Sequence, residues 1–222
     1  MHNPRTIYFV RHGENPANLK LELSCKLIDY PLTAKGRWQA MRTAEFFLTK
    51  GIGSVYSSPL RRAVETAQII AEVSRQDLVL LDEFRELDVG MLENEPANYD
   101  NWRIHDEILE NWKNGDQTRS FPGGESYLTV VARMKSGVRR VLCETSATNT
   151  VVVTHGGIIN TAIASVCRMP ADSVLRDFEN CSVTTLVFDL QVPSACGHLK
   201  DWAYTGHLSQ CAGVACSSRG GS

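Results

Sequence analysis

YFVRHGE, residues 8–14, is the stretch on which the predicted fold of this chain centres. Residues 6–10 show no polar alternation, which is typical of a strand buried on both faces, as in parallel sheets. Arg11 and His12 follow this strand, and open parallel sheets bind ligands at the carboxyl ends of their strands. Gly13 allows a bend at which a ligand could approach the backbone. Taken alone, however, the triplet fits a surface turn slightly better than a site.

The composition predicts an ordinary globular protein with one sizeable core. The chain has 222 residues, of which 43% are hydrophobic and 22% charged. No linker or internal repeat divides it. We expect a single domain over residues 1–206, with a lid or insert at 88–121 and a disordered tail at 207–222.

Charge and cysteine content narrow the class of partner. A formal net charge of -2 gives no reason to expect binding to nucleic acid or to a membrane surface. No apolar stretch approaches the roughly 20 residues of a membrane span, and the chain leads directly into a strand. The seven cysteines are odd in number and form no Cys-x-x-Cys pair, which favours free thiols in a reducing compartment. A cytoplasmic protein with a small-molecule partner is expected, and a homodimer is compatible with the sequence.

Helical periodicity and cap residues predict the first two helices. Thr33 is expected to cap a helix that buries an apolar stripe, and Ser58-Pro59 to open another after a strand at 54–57. Arg61 then falls in a first helical turn, where an anion is favoured. Judged on charge alone, Arg61 and Arg62 would more commonly be a basic pair exposed to solvent. The predicted stripes are Trp38, Met41, Ala44 and Leu48 in the first helix, and Leu60, Val64, Ala67 and Ala71 in the second.

The second half of the chain repeats the architecture of the first. Residues 150–154 form another all-apolar strand that ends in a histidine and glycines, His155-Gly156-Gly157. Buried strands alternating with amphipathic helices predict an α/β fold in layers. The other predicted strands cover residues 78–81, 183–190 and 199–204, and the other helices lie near 102–112, 127–142 and 158–166.

These elements could bring a phosphoryl-transfer site together. His12 and His155 follow strand ends, Arg61 begins a helix, and Glu86 lies in a loop, where an exposed carboxylate is the commoner fate of a glutamate. A neutral imidazole can accept a phosphoryl group, an arginine can donate two hydrogen bonds to phosphate oxygens, and a carboxylic acid can protonate a departing alkoxide. His105 is expected to be a packing or surface residue.

The motifs, in their order along the chain, resemble the histidine phosphatase superfamily in its phosphoglycerate-mutase-like branch. Each motif is weak alone, but the whole set is specific. The resemblance implies a three-layer α/β/α sandwich with a mostly parallel central sheet and a small helical lid insert. The motifs are Arg11-His12-Gly13-Glu14 with Asn18, Pro31-Leu32-Thr33 with Gly36, Ser57 to Ala63 with Glu65-Thr66-Ala67, Arg85-Glu86 with Gly90, Pro122 to Ser126, and Thr154 to Gly157.

The resemblance also implies roles for individual residues. His12 would be the nucleophile that becomes phosphohistidine, and Glu86 the general acid, protonated at the start. Arg11, Arg61 and His155 would form the phosphate pocket and share in catalysis. Asn18, Ser24 and Gly156 would complete the substrate-binding set. No metal or other cofactor is expected, because the arginines would neutralise the phosphate and two histidines alone make a poor metal site.

Hydrolysis of a small phosphorylated metabolite is the predicted reaction, with mutase activity and an inactive phospho-ligand binder as alternatives. The family's mutases have an arginine and a tyrosine where this chain has Leu87 and Val89. Residues 88–119 carry eight acidic against three basic residues, a net charge of -5 that would repel a second phosphate. The family's Gly-x-Trp-Glu-Gly pattern reads Gly90-Met91-Leu92-Glu93-Asn94 here, so substrate choice cannot be transferred by analogy.

Overall fold

A seven-stranded sheet forms the centre of the computed structural model, which describes residues 4–94, 99–168, 178–189 and 196–209. The order of the strands across the sheet is β3-β2-β4-β1-β6-β7-β5. The strands in these ranges are β1 (Arg5–Arg11), β2 (Ser54–Ser57), β3 (Leu78–Leu80), β4 (Asn149–Thr154), β5 (Cys167–Arg168), β6 (Val183–Phe188) and β7 (Gly197–Tyr204).

The sheet is mostly parallel, as predicted. β1 pairs in parallel with β4, with Arg11 opposite Thr154, and β2 pairs in parallel with both β4 and β3. β6 runs antiparallel to β1 and to β7. Because β1 and β4 are neighbours with the same direction, the residues that follow them, His12 and His155, emerge at the same edge of the sheet.

Helices cover both faces of the sheet, which confirms the three-layer α/β architecture. α2 and α3 pack on one face against Val10, Val151 and Val153. α5 and α6 pack on the other face against Phe9 and Val152. The helices are α1 (Pro16–Lys20), α2 (Ala34–Phe47), α3 (Arg61–Ser74), α4 (Tyr99–Lys113), α5 (Tyr127–Glu144) and α6 (Gly156–Val166), with short 3-10 turns at Asp82–Phe84 and Gly90–Asn94.

The central strands owe their position to burial on both faces. Val151, Val152 and Val153 of β4 are all fully buried. Full burial of such a side chain contributes about 1.5–3 kcal/mol, and β-branched side chains pack well on a pleated sheet. The non-alternating strand pattern of the sequence therefore has its physical basis in the two helical layers.

The predicted apolar stripe of α2 is only partly right. Ala44 is buried as predicted, but Trp38 and Leu48 are 50% and 64% exposed. At its N-terminal end α2 approaches its neighbours closely, since a Cβ at Gly36 would lie 2.1 Å from the Glu14 carbonyl oxygen. The core face of α2 therefore carries small residues such as Ala40, with Phe47 buried at its C-terminal end.

The start of α3 also differs from the prediction. The helix begins at Arg61 after Leu60, which makes no side-chain cap, and not at Ser58-Pro59. The Ser58 hydroxyl accepts a hydrogen bond from the Leu60 N–H at 3.2 Å and contacts His155. The later start rotates the helix relative to the predicted one and changes which arginine faces inward.

The predicted lid contains the helix that its sequence pattern indicated. α4 contributes Ile108 and Trp112 to the core on the α5 side, where Trp112 meets Phe121 edge to face at 5.3 Å. Residues 95–98 lie outside the described part of the chain, and so does the predicted tail beyond residue 209. His207 lies within the predicted tail but is buried. No helix in the described ranges combines the length and apolarity that crossing a membrane requires.

Candidate active site

His12 lies directly after β1, and its backbone N–H donates to Thr154 O of β4 at 2.9 Å. The ring is 3% exposed. Its Nδ1 lies 2.7 Å from Gly13 O, and its Nε2 lies 3.2 Å from Arg62 Nε. Since an arginine Nε can only donate, Nε2 accepts and the ring proton sits on Nδ1. The expected backbone carbonyl therefore fixes the tautomer, and Nε2 carries the lone pair of a nucleophile.

The charge state of His12 suits that role. Burial, together with the Arg62 and Arg11 guanidinium groups, holds the pKa of His12 well below its usual range. Desolvation and nearby cations both disfavour the imidazolium form. His12 is therefore neutral at neutral pH, and Nε2 is unprotonated and available to attack.

Arg62, and not Arg61, supplies the buried guanidinium of the site. The Arg62 side chain is 2% exposed, and its Nη2 donates to Ser24 O at 2.7 Å. Arg61 is 59% exposed and pairs with Glu65 along the helix surface at 2.8 Å. The predicted placement of Arg61 in the pocket is thus corrected by one residue. Consecutive helical side chains point about 100° apart, so the later start of α3 turns Arg62 inward.

Arg11 completes the cationic floor from the other side. It is the last residue of β1 and lines the same cavity as His12 and Arg62. Its Nη1 donates to the Phe178 carbonyl oxygen. A Cβ at Gly156 would lie 3.4 Å from Arg11 Nε, so Gly156, the first residue of α6, lets the guanidinium pass close to the helix. The predicted positions of Arg11 and Gly156 at the cavity agree with the structure.

His155 lies beside His12 beneath the cavity and does not line it, in contrast to its predicted place in the phosphate pocket. It is completely buried, and the two ring centroids are 5.1 Å apart. Its Nε2 lies 2.7 Å from Ser58 Oγ, which also accepts a hydrogen bond from the Leu60 N–H. Burial, followed by the charge of Arg62 and the nearby His12, lowers the pKa of His155 well below its usual range.

Glu86 reaches the cavity at the N-terminus of α6. Its Oε1 accepts from the N–H groups of Leu87 and Ile158 at 2.9 Å each, and Oε2 accepts from Gly157 at 3.2 Å. A Cβ at Gly157 would lie 2.5 Å from Oε1, so a larger residue there would displace the Glu86 carboxyl group. The backbone of the His-Gly-Gly motif thus orients the carboxyl group.

Asn18 and Ser24 line the cavity in different ways. The Asn18 side-chain oxygen accepts from the Asn15 N–H and from Asn180 Nδ2, both at 3.1 Å, which leaves its amide N–H groups for a ligand. The Ser24 hydroxyl donates to Ile28 O at 2.7 Å, while its carbonyl oxygen holds Arg62. Ser24 therefore contributes chiefly through its backbone.

Three residues that shape this site had no site role assigned from the sequence. Asn180 donates to His12 O at 3.0 Å and belongs to no motif. Glu93 Oε1 accepts four backbone N–H groups from residues 25–28 at 2.7–3.0 Å and so fixes the loop that holds Arg62. His105 lines the cavity and stacks on Phe121 at 5.6 Å, so its reading as a mere packing or surface residue is incomplete.

The acidic segment contributes less negative charge to the cavity than its net charge suggests. Glu93 is held by the backbone groups of residues 25–28, Glu107 pairs with Arg119, and Glu110 with Lys113. Of the segment's described acidic residues, Asp106 alone lines the cavity. Its Oδ1 lies 2.9 Å from His105 Nδ1.

Comparison with protein families agrees with this geometry. Residues 7–196 match the model of the histidine phosphatase superfamily, branch 1, a range that includes His12, Arg62, Glu86 and His155. The chain belongs to this superfamily. Its curated relatives include a probable phosphoglycerate mutase GpmB of Escherichia fergusonii, which is 34% identical over 183 residues, or 80% of this chain and 82% of the relative.

Solved structures of this histidine phosphatase superfamily fold are also similar. The mycobacterial glucosyl-3-phosphoglycerate phosphatase in complex with VO3 is 25% identical, with a TM-score of 0.76 over 90% of this chain and 100% of its own. The α-ribazole phosphatase of Shigella flexneri, 23% identical, shares the fold with a TM-score of 0.71 over 90% of this chain and 96% of its own.

Proposed function

We propose that this chain is a phosphomonoesterase that hydrolyses a small phosphorylated metabolite through a phosphohistidine at His12. One observation carries the proposal: a buried, neutral imidazole whose proton is fixed on Nδ1 by Gly13 O, 2.7 Å away, and whose Nε2 faces the cationic floor. This is the state in which histidine is a nucleophile.

The first step transfers the phosphoryl group to the enzyme. Arg11, Arg62 and, as the family resemblance implies, His155 would hold the phosphate oxygens. The Arg62 Nε–H would shift from His12 to an oxygen of the substrate. His12 Nε2 attacks phosphorus as the bond to the ester oxygen breaks. Glu86 gives its proton to the departing oxygen.

The second step returns the enzyme to its starting state. Glu86, now a carboxylate, takes a proton from a water molecule that attacks the phosphohistidine. The bond between phosphorus and Nε2 breaks, inorganic phosphate leaves, and Glu86 is again protonated. One carboxyl group therefore serves both steps.

The protonation of Glu86 at the start remains a prediction. Three backbone N–H groups donate to its two oxygens and orient the carboxyl group. The first step requires that this group carries a proton when the ester oxygen departs.

Phosphoglycerate mutase activity is the second candidate, because a relative at 34% identity carries that name. A mutase must also hold the second phosphate of a bisphosphorylated intermediate. Among the described residues that line the cavity, Arg11 and Arg62 are the only arginines and there is no lysine. We therefore expect no efficient conversion of 3-phosphoglycerate to 2-phosphoglycerate when 2,3-bisphosphoglycerate is added; rapid conversion would replace the hydrolase assignment.

The decisive experiment also addresses the third candidate, an inactive phospho-ligand binder. Wild type should release p-nitrophenol from p-nitrophenyl phosphate, and His12→Ala should lower turnover by about a thousandfold or more, as removal of a nucleophile does. His198→Gln, at an exposed position of β7, serves as the matched control. A phosphoryl group trapped on wild type by alkaline denaturation should be absent from His12→Ala. No release by wild type, with no change in His12→Ala, would identify a binder.

A further inference from the structure

The cavity above His12 is larger than a phosphate group requires. Its volume is about 410 Å³, within the range of roughly 300–1,000 Å³ that is usual for pockets that hold organic ligands. Arg11, His12 and Arg62 occupy its floor, whereas α4 and residues 22–25 form the outer wall. The outer part is therefore available to the leaving group of the ester.

Charge in the outer part disfavours an anionic leaving group. The charged residues that line the cavity outside its cationic floor are Glu22, Glu86 and Asp106, within the part of the chain that the structure describes. A carboxylate or second phosphate on the leaving group would lie against these side chains. Repulsion between like charges is strong where water is partly excluded.

Trp102 of α4 gives the outer wall an apolar surface. Its indole N–H donates to Leu21 O at 2.9 Å, so the ring presents no free polar group to the cavity. Leu87, Val89 and Leu109 line the same wall. Such a wall suits the C–H face of a sugar ring, which is apolar although the ring edge carries hydroxyl groups.

Two acceptors in the wall of the cavity are unpaired. Glu22 Oε2 and Asn160 Oδ1 are buried and have no hydrogen-bond partner among the described residues. Glu22 Oε1 lies 3.5 Å from the exposed Lys20, so the unpaired atom is its other oxygen. A buried acceptor without a partner costs about 1–3 kcal/mol. The two atoms are covered, and rotation of either side chain towards the cavity would bring its oxygen to a leaving group with hydroxyl donors, which would remove that cost.

We propose that the preferred substrate is the phosphate monoester of an uncharged, hydroxyl-bearing ring of sugar size. Its apolar face would pack on Trp102, and its hydroxyl groups would donate to Glu22 and Asn160. The proposal rests on the proposed hydrolase activity but is separate from it, because it concerns the half of the ester that leaves.

Three esters of primary alcohols separate the contributions of charge and of hydrogen bonding. Ribose 5-phosphate carries the uncharged ring, 3-phosphoglycerate carries a carboxylate, and n-butyl phosphate carries neither charge nor hydroxyl groups. Wild type should prefer ribose 5-phosphate to each of the others by at least about tenfold in kcat/KM. Equal or better turnover of 3-phosphoglycerate would overturn the proposal.

Two variants assign the preference to the named side chains. Glu22→Gln should narrow the preference for ribose 5-phosphate over 3-phosphoglycerate by at least about threefold. Asn160→Leu should narrow the preference for ribose 5-phosphate over n-butyl phosphate, because a hydrogen-bond acceptor for the ring hydroxyl groups is lost. Glu110→Gln, which makes the same charge change at an exposed position of α4, should change neither ratio. Unchanged ratios in the first two variants would refute the assignment.

A failure of the proposed hydrolase activity can be distinguished from a failure of the proposed substrate preference. Loss of p-nitrophenyl phosphate turnover in wild type would refute the proposed function, whatever the ratios. In that case the dissociation constants of the same three esters, measured by calorimetry on wild type and the three variants, test the subsite directly. The same order of preference would support it, and equal affinities would reject it.

Discussion

Two adjacent arginines have opposite environments at the start of α3. The Arg62 guanidinium is buried against His12 Nε2, whereas Arg61 lies on the surface beside Glu65. Arg62 would stabilise the negative charge that develops on the phosphoryl group, and removal of one such donor typically lowers kcat by about a hundredfold to a thousandfold. The two positions therefore form a natural matched pair.

We predict that Arg62→Lys lowers kcat/KM for p-nitrophenyl phosphate by about a hundredfold, because an ammonium group cannot reproduce the planar fork of arginine. Arg61→Lys should change it by less than about threefold, since an exposed helix pair is worth a few tenths of a kcal/mol. Steady-state kinetics measures kcat/KM for both variants, and a thermal melt of each shows that it is folded. A larger loss in Arg61→Lys would contradict the placement of these side chains.

The sequence was sufficient to locate the residues that follow strands. His12 and His155 were singled out because strand ends followed by glycine have a local signal, whereas Glu86 received its role only from the family resemblance. Arg61 was chosen in place of Arg62 because the helix was predicted to begin two residues too early, and neighbouring helical side chains point about 100° apart. Nothing in the sequence around Asn180 indicated a role in the site, because it contacts the carbonyl oxygen of His12, which lies 168 positions earlier in the chain.

At the scale of elements, α5 holds the segment that carries Glu86. Arg133 Nη1 donates to the carbonyl oxygens of Glu83 and Arg85 at 3.0 and 2.9 Å, and Nη2 donates to Glu86 O at 3.3 Å. Its Nε and Nη2 also form a bidentate pair with Glu125 at 2.9 and 2.8 Å. Arg133 thus connects the turn before Glu86 to the helix behind it.

Arg133→Met should lower turnover more for an ester with a basic leaving group than for one with a less basic leaving group. A displaced Glu86 matters most when the departing oxygen is basic and needs a proton. We expect kcat for n-butyl phosphate to fall at least about tenfold more than kcat for p-nitrophenyl phosphate. Arg139→Met, at an exposed position of α5, is the control, and Arg133→Lys should recover part of the loss. Equal losses on both esters would indicate a general structural effect instead.

Helix existence was easier to predict than helix orientation. The helices predicted near 127–142 and 158–166 bury large apolar side chains, among them Met134 and Ile158, which fill the space above the sheet. In α2 the predicted stripe was only partly right, since Ala44 is buried whereas Trp38 lies outside. A hydrophobic pattern favours large apolar residues as core candidates. In α2, however, the small Ala40 is buried and the large Trp38 is exposed.

At the scale of the whole molecule, buried neutral histidines link stability to pH. His207 Nε2 lies 3.0 Å from Thr43 Oγ1 of α2. Burial, with a smaller contribution from Arg42, lowers the pKa of His207 to about 4. His12 and His155 shift in the same direction. Since their unfolded-state pKa is near 6.5, the unfolded chain binds more protons below that pH, and acidification destabilises the fold.

We predict that the free energy of unfolding falls as the pH is lowered from 7 towards 4. His207→Gln should reduce this dependence without removing it, because His12 and His155 still contribute. Urea unfolding at several pH values compares the two slopes, with His198→Gln as the exposed control. Identical slopes in wild type and His207→Gln would show that His207 does not titrate as its burial requires.

The position of β1 in the sheet has a consequence for synthesis of the protein. β1 is translated well before its neighbours: Thr6 pairs with Asn149, and Arg5 pairs with Phe188. The ribosome therefore releases an apolar strand whose partners on both sides are still untranslated. Contacts so distant in sequence close slowly, and exposed strands invite aggregation. His12 is translated early, but its environment is complete only after β4 and β6 have followed it.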